Sequence, residues 1–144
     1  MEIIYSKIDP KKILHMIHRV DEFYTIKDGH RRDIVDEKEF IQSAAMNMNK
    51  GHSLQAHKHI WKPGEKECIA QESWVVIKGS VEVLMYDLDG TLIETPILYP
   101  GDSSVSLYGG HAYVVLEDDT LVYEYKTGPY KGRENDKVII GESK

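Results

Sequence analysis

A chain of 144 residues is the size of one domain, and with 41% hydrophobic and 29% charged residues it has an ordinary soluble composition. The net charge of -6, with basic residues scattered in short pairs such as Arg31-Arg32, argues against a nucleic-acid partner, and the single Cys68 excludes an intrachain disulfide. No apolar run approaches the roughly 20 residues of a membrane helix, and Met1 to Asp9 does not resemble a signal peptide, so the expectation is a cytoplasmic protein without a membrane partner.

The first element is predicted to be a helix. Asp9 can cap it and Pro10 suits its first position, and Ile13, Ile17 and Val20 follow at helical spacing. The helix should fade near the turn signal Asp28-Gly29, and the charged stretch 29–38 reads as a loop. Residues 1–38 are therefore expected to form an N-terminal helical arm, packed on the outside of the main domain (residues 39–144) or across a partner.

From Phe40 the period changes to two, which predicts a strand ending at Lys50-Gly51. A second strand, 53–60, carries His57 and His59. Residues two apart on a strand share a face, so the two imidazoles stand side by side with Lys58 turned away. Two neutral imidazoles and a carboxylate make a facial set for a borderline divalent metal, and Glu72 can supply the carboxylate as the next apolar strand begins. Gln71 would face the other way. Between them, Trp61 to Glu67 is a turn-rich insertion expected near the mouth of the site, as a lid or as a solvated loop. Cys68, on its return limb, reads as a small buried residue.

Further short strands follow over 74–77, 80–87, 91–98, 103–108 and 121–126, with turns at Asp87-Leu88-Asp89-Gly90, Tyr99-Pro100-Gly101-Asp102 and Asp118-Asp119. Gly109-Gly110 turns the chain sharply into His111, and Tyr113 shares its parity. About eight short strands with no intervening helix indicate an all-β sandwich or barrel.

Two stretches resemble the motifs of the cupins. Gly51, the pair His57 and His59, Glu72 and Gly79 match the first motif, except that the gap from His59 to Glu72 is longer than usual. Pro100-Gly101-Asp102 and His111 are similar to the second motif, without its usual Pro before the His and Asn after it. Gly128-Pro129-Tyr130 and Asp136-Lys137, after a strand with Glu124 and Lys126, resemble the end of the small WbuC-type cupins, as does Leu116-Glu117. The resemblance implies a double-stranded β-helix, or jelly-roll barrel. It also implies a metal set of His57, His59, Glu72 and His111 holding Zn, Fe, Mn, Ni or Co.

Three functions stay open. The first is a metal-dependent isomerase or epimerase acting on a small sugar-like molecule, with Tyr113, Tyr123 and His52 as candidate proton carriers. The second is a metal-free sugar-nucleotide ketoisomerase that uses the His pair as acid and base. The third is a non-catalytic ligand-binding cupin. A homodimer is expected in each case, because exposed sheet edges need covering.

Overall fold

The computed structural model describes residues 1–27, 30–62 and 68–141. It departs from expectation first in the N-terminal arm. The helix expected after Asp9-Pro10 is instead a β-hairpin, with β1 (Glu2–Tyr5) antiparallel to β2 (Ile13–Ile17). The Asp-Pro pair that suits a helix start suits a β-turn equally, since Asp favours its first position and Pro its second. Here the turn prevails. The Lys12 N–H donates to the Asp9 carbonyl at 2.9 Å, and the Lys11 N–H donates to the Asp9 carboxylate at 3.2 Å. β-Branched Ile3, Ile4, Ile13 and Ile17 favour strand on either side. The arm's short helix lies later, as a 3-10 segment at Val20–Thr25. The stretch read as a loop contains β3 (Arg31–Asp33). The predicted turn at Asp28-Gly29 and the insertion's tip, 63–67, lie outside the described residues.

From Phe40 onward the period of two becomes strands, as expected. They are β4 (Ile41–Met48), β5 (Ser53–His59), β6 (Glu72–Lys78), β7 (Val81–Tyr86), β8 (Leu92–Glu94), β9 (Ile97–Leu98), β10 (Ser103–Ser106), β11 (Gly110–Val115) and β12 (Thr120–Thr127). A single helical turn, α1 (Arg133–Asp136), then leads into β13 (Lys137–Ile139). One sheet runs β10-β6-β12-β4-β3, and the other runs β13-β5-β11-β7-β8 with β9 also on β7. All the pairings are antiparallel. This is the all-β two-sheet barrel that the sequence implied.

The two sheets meet in one core. Met46, Met48, Trp74, Val76 and Val122 from the first sheet pack against Val81, Val83, Tyr113 and Val115 from the second. The arm covers part of the first sheet's outer face, where Phe23, Ile26 and Ile34 pack on Ala45 and Leu121. Among the described residues no helix is long and apolar enough to cross a membrane.

The chain turns from β6 into β7 at Gly79, whose φ of +79° lies in the left-handed region. A Cβ there would stand 2.2 Å from the Thr120 Oγ1. Gly79→Ala is therefore expected to lower stability by about 1–3 kcal/mol. The check is the urea midpoint, which should fall with an unchanged slope.

Candidate metal centre

Along β6 the inward positions read Glu72, Trp74 and Val76, so one end of the core is polar while the rest is apolar. The second sheet mirrors this. His57 and His59 lie at the end of β5, and His111 lies on β11 directly opposite His57. Three imidazoles thus come from one sheet and face a carboxylate from the other. Their ligand atoms all lie within 4.8 Å of one another. All four residues are buried, with His111 fully so. The His111 Nε2 is 3.1 Å and the His59 Nε2 is 3.4 Å from the Glu72 oxygens. The expected ligand set is therefore brought together across more than fifty residues of sequence.

Hydrogen bonds aim the rings. The His57 Nδ1 donates to the Gln55 carbonyl at 2.8 Å, which leaves its Nε2 as the bare nitrogen. The His59 Nδ1 meets Asp136 twice, its carbonyl at 3.3 Å and its carboxylate at 3.2 Å. The His59 Nε2 and both nitrogens of His111 are buried without a hydrogen-bond partner among the described residues. Orphaned buried nitrogens around a carboxylate fit a cation. Ligand atoms about 2.0–2.2 Å from an ion stand roughly 3–4 Å apart, which is the spacing of the two Glu72 contacts.

The electrostatics agree with this arrangement. Burial, helped by the Lys137 charge, pushes His57 down to about 4 and keeps it neutral. Burial also disfavours charge on His59, but Asp136 and Glu72 outweigh it and raise this ring to about 9. Burial would raise Glu72, yet contacts with His111 and His59 hold it well below the usual carboxylate range. The site is thus set to hold a carboxylate and to trade one proton, that of His59, for a cation.

A cavity of about 660 Å³ opens beside the group and reaches His57 and Glu72. Arg31, Lys126, Lys137, Glu124 and Tyr130 line it, together with Leu54. Leu54 and His57 have opposite parity, but a register irregularity in β5 lets both face inward. Glu124 is buried, accepting from the Trp74 Nε1 at 3.2 Å and from Arg31 at 2.9 Å. Asp136 is buried between the Lys126 Nζ at 3.4 Å and the Lys62 Nζ at 4.0 Å. Lys62 comes from the first limb of the insertion and also donates to the Pro129 carbonyl at 2.6 Å.

The expected proton carriers fare differently. Tyr113 does share the face of His111, but it belongs to the core one layer deeper. Its ring stacks on Trp74 at 3.7 Å and its hydroxyl bonds to Ser104. Tyr123 lies on the outer face, with its hydroxyl 2.9 Å from the His18 Nδ1 and its ring against Phe23. His52 stands before β5 beside His30, with ring centroids 4.9 Å apart. Neither Tyr123 nor His52 lines the cavity. Cys68 is half-buried on the return limb and is not part of the ligand group. Sequence reasoning missed the parts played by Arg31, Lys62, Glu124, Asp136 and Lys137. For Glu124 a signal existed, since it shares parity with Val122 on β12.

No family model matches the chain, and no curated protein matches it. Solved structures do resemble it. KdgF from a Halomonas species is 22% identical, with a TM-score of 0.53, over 70% of this chain and 80% of that one. A conserved Klebsiella pneumoniae protein with a double-stranded β-helix domain is 15% identical, with a TM-score of 0.63, over 96% and 98% of the two chains. Oxalate decarboxylase from Bacillus subtilis is 18% identical, with a TM-score of 0.55, over 72% of this chain but only 24% of that one. Another structure of that decarboxylase concerns its Mn(II) centres. These likenesses show the fold, a cupin double-stranded β-helix.

Proposed function

We propose that this chain is a cupin metalloprotein of the small WbuC-like kind. It holds one divalent cation through His57, His59, Glu72 and His111, and it binds or acts on a small polar, sugar-like molecule in the adjoining cavity. The observation that carries this reading is the set of orphaned nitrogens on His59 and His111 beside Glu72. Imidazoles left dry and unpaired in a core are costly unless something accepts their lone pairs. The Mn(II) centres of a protein with the same fold lend support. Three neutral imidazoles and one carboxylate leave a divalent ion with net positive charge and open positions, so that it can polarise a carbonyl or lower the pKa of a bound water. The donor set suits Zn, Fe, Mn, Ni or Co. The cavity is of the size that takes a small ligand. Elemental analysis of untagged protein, purified without added metal, tests the reading. About one metal per chain is expected, and no metal, with none taken up on titration, overturns it.

We propose a homodimer on a separate observation. The β1–β2 hairpin exposes Ile3, Tyr5, Ile13 and Leu14, which are 38%, 49%, 46% and 50% exposed. An isolated two-stranded hairpin is marginal in water, and such apolar surface calls for a partner. Sedimentation should show a dimer that becomes a monomer on deletion of residues 1–17. A monomeric parent chain would refute the idea.

A further inference from the structure

Among the described residues three cations face the cavity, and they are not equivalent. Arg31 is engaged by Glu124 at 2.9 Å and by Asp33 at 2.8 Å. Lys126 is engaged by Asp136 at 3.4 Å and lies over the Tyr130 ring at 4.9 Å. Lys137 has no carboxylate within ion-pair distance among the described residues. Its Nζ instead donates to the His57 Nε2 at 3.4 Å. That nitrogen is the one His57 would turn to an ion, because its Nδ1 is held by the Gln55 carbonyl.

The two roles exclude each other. One lone pair on Nε2 cannot serve both a cation and the Lys137 ammonium. On loading, Lys137 loses its hydrogen bond just as the positive charge beside it rises. Glu72 offsets one of the two charges of the ion, while Glu124 and Asp33 are engaged by Arg31, and Asp136 is shared by Lys126 and Lys62. The loaded site therefore carries one net charge on the ion beside the Lys137 ammonium, whose charge burial disfavours and whose neighbouring carboxylates, Glu72, Asp136 and Glu124, already serve the ion or other cations. Such charge is stable only when it is paired.

We infer that Lys137 seats a ligand carboxylate next to the metal, so that this site selects small hydroxy-carboxylates over neutral sugars. The inference rests on the metal reading above. The ligand's hydroxyl or carbonyl oxygens would face the ion's open positions, and the carboxylate would accept from the Lys137 Nζ freed from His57. A single ammonium suits a carboxylate better than a phosphoryl group, whose three oxygens call for several donors.

Gluconate and sorbitol test this, since they share a carbon skeleton and differ in the carboxylate. Each is titrated calorimetrically into metal-loaded protein, and metal content is measured on the same samples. The parent chain should bind gluconate at least tenfold more tightly than sorbitol. Lys137→Met should abolish that preference with metal content and melting temperature unchanged, and Lys137→Arg should retain part of it. Equal binding of the two probes by the loaded parent overturns the carboxylate seat while leaving the metal reading intact, and so does an undiminished preference in Lys137→Met. A parent chain that takes up no metal overturns the metal reading, and with it the release of Lys137.

Discussion

His111→Ala should purify with less than about a tenth of the metal of the parent chain, and its melting temperature should no longer respond to added metal. The reasoning begins with what His111 lacks. It is fully buried, and neither ring nitrogen has a hydrogen-bond partner among the described residues. Its ring stands 4.6 Å from His57 and its Nε2 3.1 Å from Glu72. In the metal-free fold this side chain fills volume and supports the buried Glu72 carboxylate, and its removal also takes away a ligand. In the parent, binding to the folded state alone adds stability, about 4 kcal/mol when free metal is a thousandfold above Kd. That increment should disappear in the variant. The truncation also leaves a cavity near Tyr113, which costs a few kcal/mol whatever the metal does. The decisive comparison is therefore the response to added metal, with chelator-treated parent as the reference. Unchanged metal content in His111→Ala would remove it from the ligand set.

The parts of this site that could be read in the sequence share one property: their relation is local. His57 and His59 share a strand face because they are two apart, and Glu72 opens the apolar run of β6. His111 came through its resemblance to a motif, and the antiparallel pairing of β11 with β5 then sets it opposite His57. The residues that were missed are related only through the fold. Lys62 lies on the first limb of the insertion and Lys126 near the end of β12, yet both converge on the buried carboxylate of Asp136 at the close of α1. No spacing encodes that meeting. The N-terminal error has a different origin. Asp9-Pro10 carries the same local chemistry at a helix start and in a β-turn, and apolar residues over 13–20 satisfy both periods in part. β3 was hidden for a third reason. It is an edge strand, and edge strands take charged residues such as Arg31, Arg32 and Asp33. Tyr113 shows the limit of parity, which places a side chain on a face but not at a depth. It faces the same side as His111, yet it is held in the core by Trp74 and Ser104.

Asp136→Asn should change both the strength of metal binding and its dependence on pH, in ways that separate at high pH. Asp136 acts on His59 in two opposed senses. By accepting from Nδ1 it fixes the ring with Nε2 inward and makes that nitrogen a better donor to a metal, and losing such a partner typically weakens binding 10–100-fold. With Glu72 it also raises the His59 pKa to about 9, so at pH 7 the metal-free ring holds a proton that the metal must displace. Proton and metal compete for His59, and the competition weakens as pH rises. Parent affinity should therefore climb about tenfold per pH unit from pH 7 and flatten near pH 9, with about one proton released per metal bound below that point. In Asp136→Asn one of the two groups that hold the proton is gone, so the curve should flatten at lower pH. Near pH 7 the variant's deficit is partly offset by this relief. Above pH 9 competition has ended in both chains, and the full 10–100-fold deficit should appear. The substitution also leaves the buried Lys62 and Lys126 ammonium groups without their shared carboxylate, so folding of the variant is confirmed by its melting temperature before titration. Competition with a chelator of known affinity, repeated from pH 7 to 9.5, gives the two curves. If they superimpose, Asp136 neither orients His59 nor holds its proton, and the aim of that ring comes from β5 and the packing around it.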